Sequence, residues 1–116
     1  MGCVLQEIFF RPTFHKWKGE VCRGFMIHIT DVATYRPYFT SIALLTAVFE
    51  NHKADFAWKP PPYEYEFTKM PIDLILGDLS LRRGIEAGLN LLEIKQGWHQ
   101  GIQDFFAFRR PYLLYG

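Results

Sequence analysis

Three consecutive prolines, Pro60 to Pro62, constrain this chain more than any other feature. Each holds φ at about −65° and removes a backbone donor, so this stretch cannot enter a helix or the interior of a sheet. An extended path over a surface is expected, leading directly into Tyr63, Glu64, Tyr65 and Glu66. On such a path the two glutamates point one way, with Cα atoms roughly 6.5 to 7 Å apart, and the two tyrosines point the other. The whole segment from Trp58 to Asp78, WKPPPYEYEFTKMPIDLILGD, is therefore the part around which the remainder is expected to be arranged.

Before it, Val4 to Phe10 is rich in β-formers and is stopped by Pro12, which predicts a strand ending at Arg11. Glu20 to Thr30 alternates clearly. Val21, Phe25, Ile27 and Ile29 lie on one face, interrupted by Arg23, and small or polar residues including His28 lie on the other, so one face is expected to pack on helices. Between these strands a loop bounded by Gly19 carries Phe14, His15, Lys16 and Trp17, a site candidate. Pro37 is well placed at a first helical position, and Tyr38, Ile42, Leu45 and Phe49 recur at helical spacing. This predicts a core helix ending near His52, with Ser41, Thr46 and Glu50 on a thin polar edge.

After the tetrad, Ile72 to Leu76 is a short apolar run stopped by Gly77. Asp78 or Ser80 is expected to cap a helix that ends near Gly88. Asn90 and Glu93 form a capping-box pattern for a last helix, in which Gly97 and Gly101 would admit a closely packed neighbour and which Pro111 ends. Strands first and helices later predict a single α+β domain over residues 1–116: a small, mainly antiparallel sheet of two to four strands packed with about three helices.

Thirteen Lys and Arg against twelve Asp and Glu leave a net charge of +1, too little to gather nucleic acid or anionic lipid. No run reaches the ~18 apolar residues of a membrane span, and the N-terminus lacks the pattern of a signal peptide. Eleven Phe and 17% aromatic residues exceed what one small core needs, so some of that surface is expected to meet a partner, a ligand or a neighbouring domain. Self-association through it stays open. Cys3 and Cys22 lie on candidate neighbouring strands and are read as small apolar fillers, with a disulfide left open.

The four histidines show no metal-ligand spacing, and no phosphate-cradling or nucleophile-elbow motif occurs, so neither a metal nor another cofactor is expected. His28 is read as a hydrogen-bonded core histidine, and Arg82 and Arg83 as solvated helix charges. Glu64 and Glu66 overlap the carboxyl spacing of glycosidases, ~5 to 9.5 Å, yet both would approach a sugar from one side, whereas acid and base flank the bond. A small independent glycosidase is the weaker reading. Tyr63 and Tyr65 combine a flat ring with a polar tip, suited either to a sugar face or to packing on the helix after Pro37.

Several blocks, in order along nearly the whole chain, carry a family resemblance. They are Arg11 to Lys16 (RPTFHK), Gly19 to Gly24 (GEVCRG), Ile27 to Asp31 (IHITD), Tyr35 to Pro37 (YRP), Pro62 to Glu66 (PYEYE), Pro71 to Asp73 (PID), Leu76-Gly77 and Arg110 to Tyr115 (RPYLLY). Together they resemble the C-terminal part of the NamZ-type exo-β-N-acetylmuramidases, long a family of unknown function. The resemblance implies an accessory domain that closes over the substrate cleft of an N-terminal Rossmann-like catalytic domain, itself absent from this chain. It implies no catalytic residue here, and substrate contacts from His15, Lys16, Glu20, Tyr63, Glu64, Tyr65, Glu66 and Asp73. Lys16 would face the lactyl carboxylate of a muramoyl group. The implied partners are a peptidoglycan fragment or muropeptide and the catalytic domain, and the implied location is the cell envelope or outside the cell. A protein-interaction or dimerisation module is the alternative from another class.

Overall fold

A computed structural model describes residues 2–115. The chain forms two compact units, Met1–Thr40 and Ser41–Gly116. The first holds two strands, β1 (Cys3–Phe10) and β2 (Cys22–Ile29), paired antiparallel with Cys3 opposite Ile29 and Phe10 opposite Cys22. β1 ends where Pro12 removes a ladder donor, and the loop it enters is closed by the Gly19 amide donating to the Pro12 carbonyl at 2.9 Å.

Register sorts the hairpin's side chains as the alternation predicts. Leu5, Phe9, Phe25, Ile27 and Ile29 share one face with Arg23, whose guanidinium lies 5.9 Å from the Phe9 ring centroid and pairs with Glu7. Burial does not follow the alternation, however: Phe9, Phe25 and Ile29 on this face, and Val4, Phe10 and Met26 on the other, are all exposed. His28 is likewise exposed, with Nε2 2.6 Å from Gln6 Oε1 on the diagonal of the ladder. It is hydrogen-bonded as expected but is no core residue.

Cys3 and Cys22 do lie on neighbouring strands, at opposite ends of the ladder. Seven strand steps separate Cys22 from Ile29, the partner of Cys3, roughly 23 Å at ~3.3 Å per step. A disulfide needs Cα atoms within ~7 Å, so both thiols are free.

The open end of the hairpin is tied by Gly2 and Asp31. The Gly2 carbonyl accepts from the amides of Thr30 at 2.9 Å and Asp31 at 3.2 Å. Asp31 accepts from the Thr34 hydroxyl at 2.7 Å and the Ala33 amide at 2.9 Å, and these donors hold its carboxyl below the ordinary value.

The second unit is helical. α1 (Pro37–Asn51), opened by Pro37, starts in the last residues of the first unit and continues into the second, where α2 (Pro71–Leu76), α3 (Leu79–Glu86), α4 (Leu91–Arg109) and a 3₁₀ turn (Arg110–Tyr112) follow. The described residues thus carry two antiparallel strands and four α-helices, an α+β fold with one helix more than expected. The extra one is the short apolar run at Ile72: Pro71 preorganises its first turn, and Gly77 at φ 72° stops it, its amide returning to the Asp73 carbonyl at 2.9 Å. Asp78, not Ser80, caps α3 by accepting from the Ser80 amide at 2.7 Å. Asn90 and Glu93 form the capping box that starts α4.

Ile42 of α1, Leu81 and Ile85 of α3 and Ile94 of α4 make the fully buried core, with Leu45, Phe49, Trp58 and Trp98 packed around it. Thr46, placed on the polar edge from sequence, is also buried; its hydroxyl donates to the Ile42 carbonyl one turn back at 2.9 Å, so no polar atom is stranded. Beyond the end of α1, Phe56 meets Phe49 edge-on, 5.2 Å between ring centroids, and Trp58 stacks on it at 6.2 Å. That aromatic cluster seats the chain as it enters the prolines. Around Gly97 and Gly101 nothing lies within 4 Å of a built Cβ, so the close neighbour expected there is not seen. Phe105, Phe108, Tyr112 and Leu114 are exposed.

Candidate functional site

The proline run does not deliver an extended ribbon. The Pro61–Pro62 bond is cis, and Tyr63 to Glu66 closes into a tight turn in which the Tyr63 amide donates to the Glu66 carbonyl at 2.9 Å and the Glu66 amide returns to Tyr63 at 3.0 Å. Glu64, the first central residue, sits at φ 52°, a left-handed conformation that costs a side-chain-bearing residue about 1–2 kcal/mol. The extended-chain spacing between Glu64 and Glu66 therefore does not apply. Tyr65 projects from the turn at 94% exposure, while Tyr63 is half-buried under the Lys59 ammonium, 6.0 Å from its ring centroid.

The two glutamates of the turn have different surroundings. Glu64 is exposed, with no hydrogen bond to its carboxylate among those found. Glu66 Oε1 accepts from the Thr68 hydroxyl at 2.6 Å, the Thr68 amide at 2.8 Å and the Lys69 amide at 3.1 Å. These donors, led by the hydroxyl, lower its pKa from 4.5 to about 2. A group so acidic is ionised at neutral pH and holds no proton to give a leaving group, so a Glu64/Glu66 acid–base pair lacks its acid on this side.

The sign of the pH effect follows. The folded-state pKa is depressed, so the contribution of Glu66 to the turn is fully present above pH about 4.5 and is lost as pH falls through about 2. The Glu66 carboxyl carbon resonance is expected to titrate with a midpoint near 2, and Thr68→Val to move it upward. A midpoint at the ordinary value in the unaltered chain would show that the three donors do not hold it.

Thr68 and Lys69, gripped by Glu66, also line a groove of about 550 Å³ together with Met70, Asp73, Leu74, Asp78 and Arg82. Asp73 holds Arg82 through two parallel bonds, Nε to Oδ1 at 2.7 Å and Nη2 to Oδ2 at 3.1 Å, and Arg82 Nη1 reaches Glu86 at 2.9 Å. The side chains of Arg82 and Asp73 are only 16% and 13% exposed. Arg82 is thus a bridge from α2 to α3 and not a solvated charge; bonding to Asp73 first and Glu86 second raises its pKa further. Both Asp73 oxygens are occupied. Asp73→Asn is expected to cost about 1–3 kcal/mol in urea unfolding, since Arg82 keeps one partner and loses the other; a change below about 0.5 kcal/mol would contradict this.

In the first unit, His15, Lys16 and Glu20 are exposed on or beside the loop closed by Gly19. His15 stands at φ 58° and Trp17 at φ 63°, and the His15 ring meets Phe14 edge-on at 5.1 Å between centroids. Phe14 and Trp17 are 68% and 65% exposed. His15 is of a type enriched at positive φ, whereas nothing in the sequence signalled a left-handed Trp17.

Among the described residues no three His, Cys, Asp or Glu side chains converge to hold a metal ion, and no helix is long and apolar enough to cross a membrane.

A family model described as exo-β-N-acetylmuramidase NamZ, C-terminal, matches residues 1–115. The chain is also similar to the peptidoglycan β-N-acetylmuramidase NamZ of Bacillus subtilis (strain 168), at 24% identity over 114 residues, which are 98% of this chain and 26% of that protein. It spans about a quarter of the length of that curated relative. No solved structure matches it.

Proposed function

The chain belongs to the family of NamZ exo-β-N-acetylmuramidase C-terminal domains, and from that membership we propose that it is the accessory domain of a peptidoglycan hydrolase. In this reading it lines the cleft that receives a terminal N-acetylmuramic acid unit, while an N-terminal catalytic domain supplies the bond-breaking groups. The enzyme would act in the cell envelope or outside the cell.

One observation supports this most. Among the described residues the non-glycine residues at positive φ are His15, Trp17 and Glu64, all in the two segments that carry the candidate sugar contacts. Strain of this kind persists where surrounding structure enforces it, and it gathers at ligand sites. Here it fixes exposed aromatic rings, Phe14 and Trp17 in one segment and Tyr65 in the other, which suit the apolar face of a pyranose. Within the first unit, Lys16 would pair with the lactyl carboxylate and His15 and Glu20 would offer polar contacts; within the second, Glu64 would offer a polar contact and Tyr63, Glu66 and Asp73 would shape the turn and groove.

The isolated chain is expected to show no turnover of a muramic acid glycoside, with turnover appearing when the catalytic domain is joined to it. Full turnover by the isolated chain would contradict the reading. The exposed apolar side chains of the hairpin and of Phe105 to Leu114 favour contact with that catalytic domain. They also favour a second reading, an interaction or dimerisation module. Concentration-dependent light scattering with no response to muropeptide is the outcome that module predicts.

A further inference from the structure

The Tyr63–Glu66 turn holds two carboxylates that sequence treats alike and the fold treats differently. From that difference we infer that Glu66 is a positioning residue, and that Glu64 and Tyr65 are the groups of this turn that touch carbohydrate. The inference rests on the cleft-lining reading and says which side of the sugar the turn meets.

Glu66 is committed internally. Three donors converge on one of its oxygens, joining the turn to Thr68 and Lys69, which line the groove, and its backbone closes the turn in both directions. The same closure carries Glu64 at φ 52° and leaves Tyr65 at 94% exposure. Because the turn backbone is fastened at its base, only side chains such as Tyr65 need ordering on binding, and that saving of backbone ordering is how preorganisation raises affinity. Glu64 is an acceptor only. It therefore suits sugar hydroxyls or an acetamido N–H, and its charge repels a carboxylate. The turn meets the neutral, donor-bearing side of the muramoyl unit, with the lactyl group directed elsewhere.

The probe is N-acetylmuramoyl-N-acetylglucosamine, titrated into the whole chain by calorimetry with amide spectra recorded in parallel. Tyr65→Ala and Glu64→Gln are each expected to weaken binding about tenfold while leaving the Thr68 and Lys69 amide signals in place. Glu66→Gln is expected to weaken binding by a similar factor while shifting those two amides. Thr68→Val, the milder lesion, should reproduce part of that loss, and Thr68→Ser should restore it. A probe with N-acetylglucosamine in place of the muramic acid unit should show the same loss on Glu64→Gln, since the lactyl group is not Glu64's partner. The division of roles is overturned if Glu64→Gln and Tyr65→Ala bind like the unaltered chain. It is equally overturned if Glu66→Gln loses affinity with both amides undisturbed, or if Thr68→Val has no effect. Absence of binding by the unaltered chain would remove the carbohydrate reading and this inference together, an outcome distinct from either of those.

Discussion

Ile85→Ala is expected to lower the stability of the chain by about 2–5 kcal/mol. Ile85 is 1% exposed and lies in a core whose other fully buried members are Ile42, Leu81 and Ile94. Truncation removes contacts to elements on both sides. α3 is held to α2 by the Asp73–Arg82 bridge and packs against α4, so neither neighbour can follow the lost atoms inward, and a cavity remains. With so few residues fully buried, one truncation removes a large part of the margin that keeps a domain folded. Urea unfolding should show a lower midpoint at unchanged slope, and Ile85→Val should cost only about 0.5–1.5 kcal/mol. A loss below about 1 kcal/mol for the alanine variant would mean that the core collapses freely around it.

Gly2→Ala is expected to have an effect of similar size on the hairpin, by another route. At φ 67° an alanine incurs about 1–2 kcal/mol from its backbone alone. Its Cβ would also stand 2.6 Å from the Asp31 carbonyl oxygen and the Tyr35 amide nitrogen, and 2.8 Å from the Thr34 hydroxyl. Two of those atoms are backbone, and they are bonded to each other at 2.9 Å, so they cannot give way cheaply. Overpacking of this kind adds about 1–3 kcal/mol, for a total of about 2–5. Faster amide exchange through Cys3–Phe10 and Cys22–Ile29 is the readout. Gly19→Ala is the control: φ there is 81° but nothing lies within 4 Å, so it should show the backbone cost alone. Equal effects at the two glycines would show that the contacts around Gly2 do not matter.

Much of this architecture was legible because it rests on local chemistry. Pro37 at the start of α1, the Asn90/Glu93 box before α4 and the alternation of β2 each act within a few residues, and each element begins within two residues of where those signals put it. The stretch at Ile72 resisted reading, since a five-residue run with four apolar residues is too short to show a period that separates strand from helix; Pro71 and Gly77 decided it. The tetrad was misread for a deeper reason. Alternating Tyr and Glu after prolines describes an extended strand by pattern, and only a left-handed Glu64, which no residue type advertises, turns it back on itself. Arg82 was misjudged because its partner lies nine residues away across a helix end, beyond any single helical face. Thr46 looked polar and is buried, because its hydroxyl is satisfied one turn back along its own helix. For the candidate site, the sequence pointed to segments but not to the geometry that makes Glu64 and Glu66 unequal.

The central proposal is that this chain contacts a muramic acid unit whose cleavage is carried out by another domain. Amide chemical shifts of the labelled chain, followed during titration with N-acetylmuramoyl-N-acetylglucosamine, test it most directly. Saturable changes concentrated at Phe14 to Trp17 and at Glu64 and Tyr65, with the disaccharide left intact, are the predicted result. No saturable change at either segment, or changes confined to the exposed end of α4, would contradict the account.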